Sequence, residues 1–476
     1  MELQKEIGYI VKNQDYLLYI EGLSSIRIND LIRGPSGAAI VSGLEGNHIQ
    51  ALMLGSGKPK PGEIFERAPG LRIPLVSRLL SRTINPLGLP LDGKSAIPFG
   101  ETVLDLETKA TGINSREILS QQLYTGFTLV DTLLPIGKGQ RELIFGDARS
   151  GKSSFILDVI ANQKDRGLIC IYTAVGKSEI EVKRSATQIE SSGAAPYTVI
   201  VAGTSSEPAP IIALAPSVAF AIAEEYRKGG QDVLLIIDDL GLHAKYLREI
   251  ALLSQQIPGR ESYPGNIFYE HSRLMERAGK FKKEYGGGGT ITLLPVIETD
   301  LDNFTALIPT NLMSQTDGHL LFSASLAALG QYPSIGIARS VTRVGRQVQL
   351  TIQKLMSTKI RTLLANYQDL KTFSKFETEL SEETQRMIKE AEIVTEFLKQ
   401  EPTQNLSIKT QLTLLGLAFT SIFREKGVEF AKNNKQRIIQ IIEDNLKDLE
   451  VTQFDSLDQF QLVLEKKSVT IESLCH

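Results

Sequence analysis

Cysteine is nearly missing from this chain. Cys170 and Cys475 are the only two in 476 residues, too few for a disulfide framework and in keeping with a reducing compartment. The five histidines, His48, His243, His271, His319 and His476, are scattered, and no Cys/His spacing resembles a zinc site. An excess of charge is missing too. The 52 Lys+Arg against 55 Asp+Glu leave a net −3, so bulk charge gives no reason to expect a nucleic-acid or membrane-surface partner. Long hydrophobic runs are also lacking. The longest apolar stretch, Ile211–Ala223, is interrupted by Pro216 and falls short of the roughly 20 residues a spanning helix needs. The segment Met1–Glu6 is too polar for a secretory signal. These absences lead us to expect a soluble protein, or one peripheral to a membrane through partners. The 42% hydrophobic and 22% charged fractions are ordinary for a globular chain, and the length is that of roughly two to four domains.

What is present changes character along the chain. Up to residue 75 there are short β-type runs, Ile7–Lys12, Tyr16–Glu21, Ala38–Val41 and Ile49–Leu54, punctuated by Gly43, Gly46, Gly55 and Gly57. Short strands with regular turns predict a small β-barrel or sandwich over 1–75. From 76 to 350, nearly continuous apolar strands (Glu142–Phe145, Leu168–Thr173, Thr198–Val201, Val233–Ile237) alternate with helical stretches. This pattern predicts an α/β domain on a parallel sheet. From 351 to 476 the β signal is gone. Ile388, Ala391, Val394 and Leu398, then Ile438, Ile441 and Ile442, lie close to helical spacing, and Ser381 before Glu382-Glu383 reads as a capped start. A C-terminal helical bundle is expected.

One motif carries chemistry. Gly146-Asp147-Ala148-Arg149-Ser150-Gly151-Lys152-Ser153 matches GxxxxGK[ST], a pattern due roughly 0.02 times by chance in such a chain. It lies between an apolar strand and an apolar helix. Glycines let backbone N–H groups converge on phosphates, Lys152 supplies charge to the β- and γ-phosphates, and the Ser153 hydroxyl is suited to Mg²⁺. The bland alternative is a glycine-rich turn with an exposed lysine. Downstream, the strand Val233–Ile237 ends in Asp238. An aspartate there, beside a phosphate loop, typically holds Mg²⁺ through water.

An ordered series of further segments points to a family. Pro135-Ile136-Gly137-Lys138-Gly139-Gln140-Arg141-Glu142 leads into the loop. Pro258–Gly265, His271–Ala278, Leu294–Thr299, Ile308–Asn311, Thr316–Gly318 and Ser340-Val341-Thr342-Arg343-Val344-Gly345 follow it. In this order, over nearly the whole chain, they resemble the α subunit of the F-type ATP synthase. The resemblance implies an N-terminal six-stranded β-barrel, a central RecA-like phosphate-loop domain and a C-terminal helical domain. It also implies an alternating ring with three β-type catalytic subunits around a γ stalk, a peripheral stalk, and ion-coupled ATP synthesis or hydrolysis at the cytoplasmic face of a bacterial-type plasma membrane, with membrane contact only through the complex. ATP or ADP with Mg²⁺ is the implied ligand. Residues 146–153, Asp238 and Gln400 would bind it, and Arg343 would act as an arginine finger in trans at the β-type site.

Departures from the family pattern narrow the reading. Catalytic relatives and protein-export ATPases place a water-orienting glutamate where this chain has Lys177, and typical α subunits place glutamine there. A protonated lysine accepts no proton from water, and Glu179 and Glu181 lie at other positions along the chain. Lys177 is otherwise readable as a solvated surface lysine. The usual Arg-Gln-Thr of the loop is Ala148-Arg149-Ser150 here, the usual Arg-Pro near the adenine is Tyr332-Pro333, and Pro402 stands for a second glutamine. The short segment before the barrel suggests weak docking to a δ subunit. A non-catalytic α-type subunit is therefore expected. A self-sufficient export-type ATPase and a paralogue with a vestigial site are the alternatives.

Overall fold

The structure, a computed structural model, describes residues 6–46, 48–106, 112–285, 288–299, 305–373, 381–446 and 449–475. The sequence run Gly286–Gly289 suggests a flexible loop, and of it Gly286 and Gly287 lie outside the described residues. Two compact units are formed. One comprises 1–118, 138–148 and 163–319; the other comprises 119–137, 149–162 and 320–476.

The first unit begins with a closed barrel of six strands: β1 (Ile7–Gln14), β2 (Leu17–Gly22), β3 (Leu31–Gly34), β4 (Gly37–Glu45), β5 (His48–Met53) and β6 (Ile64–Arg67). Their order is β1-β2-β5-β4-β3-β6, and β6 pairs back onto β1. The closed barrel agrees with the small barrel or sandwich expected from the short runs and turns, and its interior is filled by Ile10, Leu18, Ile20, Ile32, Val41, Ala51 and Phe65.

A parallel sheet follows in the same unit. Six of its strands are β7 (Arg82–Ile84), β8 (Glu142–Asp147), β9 (Leu168–Lys177), β10 (Thr198–Thr204), β11 (Asp232–Asp238) and β12 (Thr290–Thr299). Neighbours run β7-β10-β9-β11-β12-β8, every pair parallel. Residues 168–175 and 233–238 are buried without interruption, which explains why these strands read as solid apolar runs rather than alternating ones. β12 was less legible because it holds Pro295, which pairs with Ile237 in mid-sheet; a proline there ordinarily argues against a central strand.

Pro216 interrupts the apolar stretch in sequence but not in space. Helix Ala209–Lys228 runs through it, although an interior proline costs about 3 kcal/mol. Fifteen of its residues are buried, and burial of several large apolar side chains at about 1.5–3 kcal/mol each outweighs that cost. At 20 residues it is long and apolar enough to span a membrane, yet its most apolar window is 78% buried inside the protein. That is the position of a core helix.

The second unit is helical, as expected for the C-terminal part. It contains Thr351–Phe373, Glu382–Leu398, Ile408–Leu417, Ser421–Asn445 and Leu457–Cys475. The Ser381 side chain caps the second of these by accepting from Thr384 N. Ala391, Val394, Leu398, Ile438, Ile441 and Ile442 are buried. Short helix Thr128–Leu133 and helix Lys152–Ala161 also belong to this unit, with Phe127, Phe155, Phe322 and Tyr332 in ring contact.

Candidate functional site

The loop from Gly146 to Ser153 joins β8 to helix Lys152–Ala161. Three of its residues take positive φ: Gly146 (147°), Arg149 (59°) and Gly151 (90°). Such left-handed turns expose successive backbone N–H groups on the concave side and make an anion nest. Gly151 is the N-cap of the helix and offers no side-chain cap; a helix N-terminus of this kind is where first-turn N–H groups meet a phosphate. Lys152 is 6% exposed, with Nζ 3.4 Å from the Ser150 hydroxyl. The Ser334 hydroxyl donates to the Ser150 carbonyl and braces the turn. Ala148 and Arg149 face solvent, and the Asp147 carboxylate accepts from the Thr299 hydroxyl at 3.4 Å.

Asp238 ends β11 at 2% exposure. It lies level with Ala174 on β9 and with Val296 on β12, which is level with Ile144 on β8. The acid therefore stands at the carboxyl edge of the sheet, two strands and about 10 Å from the strand that enters the loop. Its Oδ2 accepts from the Tyr172 hydroxyl at 2.9 Å, and its Oδ1 lies 3.0 Å from Lys177 Nζ.

Simple alternation would put residue 177 on the opposite face from 174. The β9–β10 register slips after Val175, so that Lys177 opposes Thr204. Gly176, at φ 67°, is the inserted residue, and a bulge of one residue re-aims the side chain that follows it. A Cβ on Gly176 would meet the Tyr246 ring at 2.5 Å. Lys177 is consequently no solvated surface lysine: 21% of its side chain is exposed, and it is ion-paired. Burial lowers its pKa, but the charges of Asp238 and Asp239 outweigh this and hold it above the ordinary lysine value.

The neighbouring carboxylates have other tasks. Asp239 accepts from Leu242 N (2.6 Å) and Glu298 N (2.9 Å) and caps the helix Leu240–Leu253. Glu181 completes a capping box with Ser178, whose hydroxyl holds the Glu181 carboxyl below its usual range. Glu179 accepts from the Ser206 hydroxyl at 2.7 Å. Among the described residues no cluster of three or more His, Cys, Asp or Glu gathers for a metal. For Mg²⁺, the Ser153 hydroxyl fits: it is exposed and has no partner among the described residues. Asp238 fits poorly, since an ammonium already answers its charge.

The remaining sequence-derived residues lie in the second unit. A Cβ on Gly151 would lie 3.9 Å from Tyr332 Cε2, and the Tyr332 hydroxyl donates to Asp158 at 2.8 Å. Gln400 is buried. Its Oε1 accepts from Thr128 N (2.5 Å), its Nε2 donates to the Gly126 and Gln404 carbonyls, and its own N–H reaches the Tyr332 carbonyl. The amide is thus spent on backbone. Arg343 is exposed and has no hydrogen-bond or ionic partner among the described residues, whereas Arg346 donates to the Thr358 hydroxyl. Missed by sequence reasoning were the Lys177–Asp238 pair, hidden by the bulge, and Asp158, for which an acid within a helical run gives no signal.

Other motif residues form struts. Arg141 pairs with Asp317 (2.8 Å) and Glu276 (2.7 Å), tying three of the motif segments together, and Asn311 bonds His271 Nδ1 at 3.1 Å. Residues 126–342 match the ATP synthase alpha/beta family, nucleotide-binding domain, and residues 349–467 match the ATP synthase alpha/beta chain, C terminal domain. The chain is 36% identical over 413 residues to ATP synthase subunit alpha of Staphylococcus aureus strain Newman, and equally to that of strain COL. Each alignment covers 86% of this chain and 82% of the relative.

Proposed function

We propose, from the premise that this chain belongs to the ATP synthase alpha/beta family as an F-type α subunit, that it retains a nucleotide without hydrolysing it and assists turnover at a neighbouring subunit's site. The observation that carries this reading is Lys177 on its glycine bulge. A hydrolytic site needs a carboxylate there to orient water; an ion-paired lysine stands in its place, with Glu179 and Glu181 engaged elsewhere.

In this reading the loop 146–153 holds ATP or ADP. Backbone N–H groups and Lys152 take the phosphates, and Tyr332 supplies the flat surface nearest Gly151 for the base. Mg²⁺, when bound, neutralises β- and γ-phosphate charge, and the Ser153 hydroxyl is the group suited to hold it. Gln400 supports the site through the Gly126–Thr128 turn, and Asp238 supports it as a charged strut at the sheet edge. Domain limits at 75 and 350 accompany this reading.

Arg343 completes the proposal. A guanidinium that is exposed and unpaired among the described residues of its own chain is available to a substrate on another, and arginine keeps its charge and its planar fork under all physiological conditions. The partner is then a β-type catalytic subunit alternating with this one in a 3:3 ring, with γ and a peripheral stalk, in a complex coupled to ion movement at the cytoplasmic face of a bacterial membrane. The test is turnover. The purified chain should bind ATP and show no multiple turnover, and activity should arise on adding a β-type subunit. Sustained hydrolysis by the chain alone would favour the self-sufficient alternative.

A further inference from the structure

We infer that Lys177 is the built-in counter-cation of Asp238, filling the electrostatic place of a divalent metal, so that nucleoside di- or triphosphate is held here with little need for Mg²⁺. This rests on the nucleotide-retention reading above and adds what kind of ligand charge the site is made for.

Three observations carry it. The first is commitment of the acid. Both Asp238 oxygens are engaged, one by the Tyr172 hydroxyl at 2.9 Å and one by Lys177 Nζ at 3.0 Å. Asp238 is 2% exposed, so its charge is compensated from within the fold rather than by solvent.

The second is construction. Lys177 reaches Asp238 only because Gly176 adds one residue to β9 and turns position 177 to the face of Ala174. The positive φ of Gly176 and its closeness to the Tyr246 ring make the bulge a fixed feature. The ammonium is thus delivered by backbone architecture, not by a mobile surface side chain.

The third is placement. By strand register Asp238 is level with Val296 and Ile144, at the sheet edge from which the phosphate loop departs. A dication accompanying phosphates at that edge would draw on the aspartate charge, and the ammonium would oppose it. A neutral side chain at 177 would leave the carboxylate free for the metal; a cation removes that incentive.

The test compares binding of ADP and ATP to the purified chain by calorimetry, with excess Mg²⁺ and with EDTA. Chelation should weaken binding by less than about three-fold in the wild type. Lys177→Gln should bring metal dependence, with nucleotide bound at least about ten-fold more tightly in Mg²⁺ than in EDTA. Lys177→Gln combined with Asp238→Asn, which removes both charges and leaves no orphaned carboxylate, should return to indifference and keeps the comparison available where the single variant folds poorly. A wild-type chain that binds nucleotide in Mg²⁺ but loses it ten-fold or more in EDTA overturns this inference and leaves the retention reading standing. A chain that binds neither nucleotide under either condition overturns both.

Discussion

The Thr342 hydroxyl donates to the Pro135 carbonyl at 2.8 Å and accepts from Gly345 N at 3.2 Å. These two bonds bracket Arg343. Gly345 packs so tightly on the Pro135 carbonyl that a Cβ could not be accommodated. The backbone on either side of the arginine is therefore fixed, while its side chain has no partner among the described residues, which suits the role in trans proposed for it.

Arg343→Ala is expected to leave assembly and nucleotide retention intact and to lower steady-state hydrolysis of the reconstituted complex by about 10³–10⁵. Arg343→Lys should recover little, since a point charge does not reproduce the fork. Steady-state ATPase assays on complexes of verified stoichiometry decide it. Near-normal rates would reduce Arg343 to an interface residue.

Gln400→Ala should act through structure. It strips Thr128 N of its acceptor and the Gly126 carbonyl of a donor, a loss of about 1–3 kcal/mol for buried groups. Denaturant titration should show that loss, and any fall in nucleotide affinity should be equal for ATP and GTP. A selective loss for one base would mean that the amide reads the ring directly.

Gly176→Ala should cost about 1–3 kcal/mol, because φ 67° is unfavourable for a residue with a Cβ and the Tyr246 ring lies in the way. Gly176→Ala/Tyr246→Ala should recover the steric part alone. Urea midpoints of the two variants measure the division, and a single variant as stable as wild type would show the bulge to be dispensable.

His243 and His271 give the fold a pH dependence. Burial pushes His243 down to about 4, and burial with the nearby His243 pushes His271 down to about 3. His243 Nε2 faces the Ala213 carbonyl and so carries the proton, while its Nδ1 has no hydrogen-bond partner among the described residues. The unfolded chain protonates both near 6.5. Their contribution is therefore whole above about pH 6.5 and is lost as pH falls from there through the folded values, by at most about 1.4 kcal/mol per unit for each histidine. Urea midpoints at pH 7, 6 and 5 should fall in that order. His243→Gln, which keeps a donor toward Ala213, should flatten the slope; an unchanged slope would place the dependence elsewhere.

The barrel strands, the sheet strands with their solid apolar runs and the phosphate loop were legible because local periodicity and glycine spacing encode them directly. The site chemistry was less so. Lys177 and Asp238 are 61 positions apart, by their numbers, and meet through a one-residue register slip that alternation cannot foresee. Gln400 looked like a base contact because nothing in its neighbourhood reveals that its amide serves Thr128, 272 positions away. Helix 209–228 passes through Pro216 because burial over its whole length outweighs a local penalty, a balance set by the sheet it covers rather than by its own residues.

Closure of the N-terminal barrel has a consequence for assembly. Every one of the six strands has a hydrogen-bonded neighbour on both sides, so this domain offers no unsatisfied row of amides along which another chain could add. Copies cannot zip together through the backbones of this barrel. Any adhesion there must pass through outward side chains such as Tyr9, Val11 and Leu44, 47%, 44% and 52% exposed. Side-chain contacts discriminate between unlike neighbours where backbone pairing would accept any strand. A closed barrel of this kind is therefore protected against pairing indiscriminately with itself.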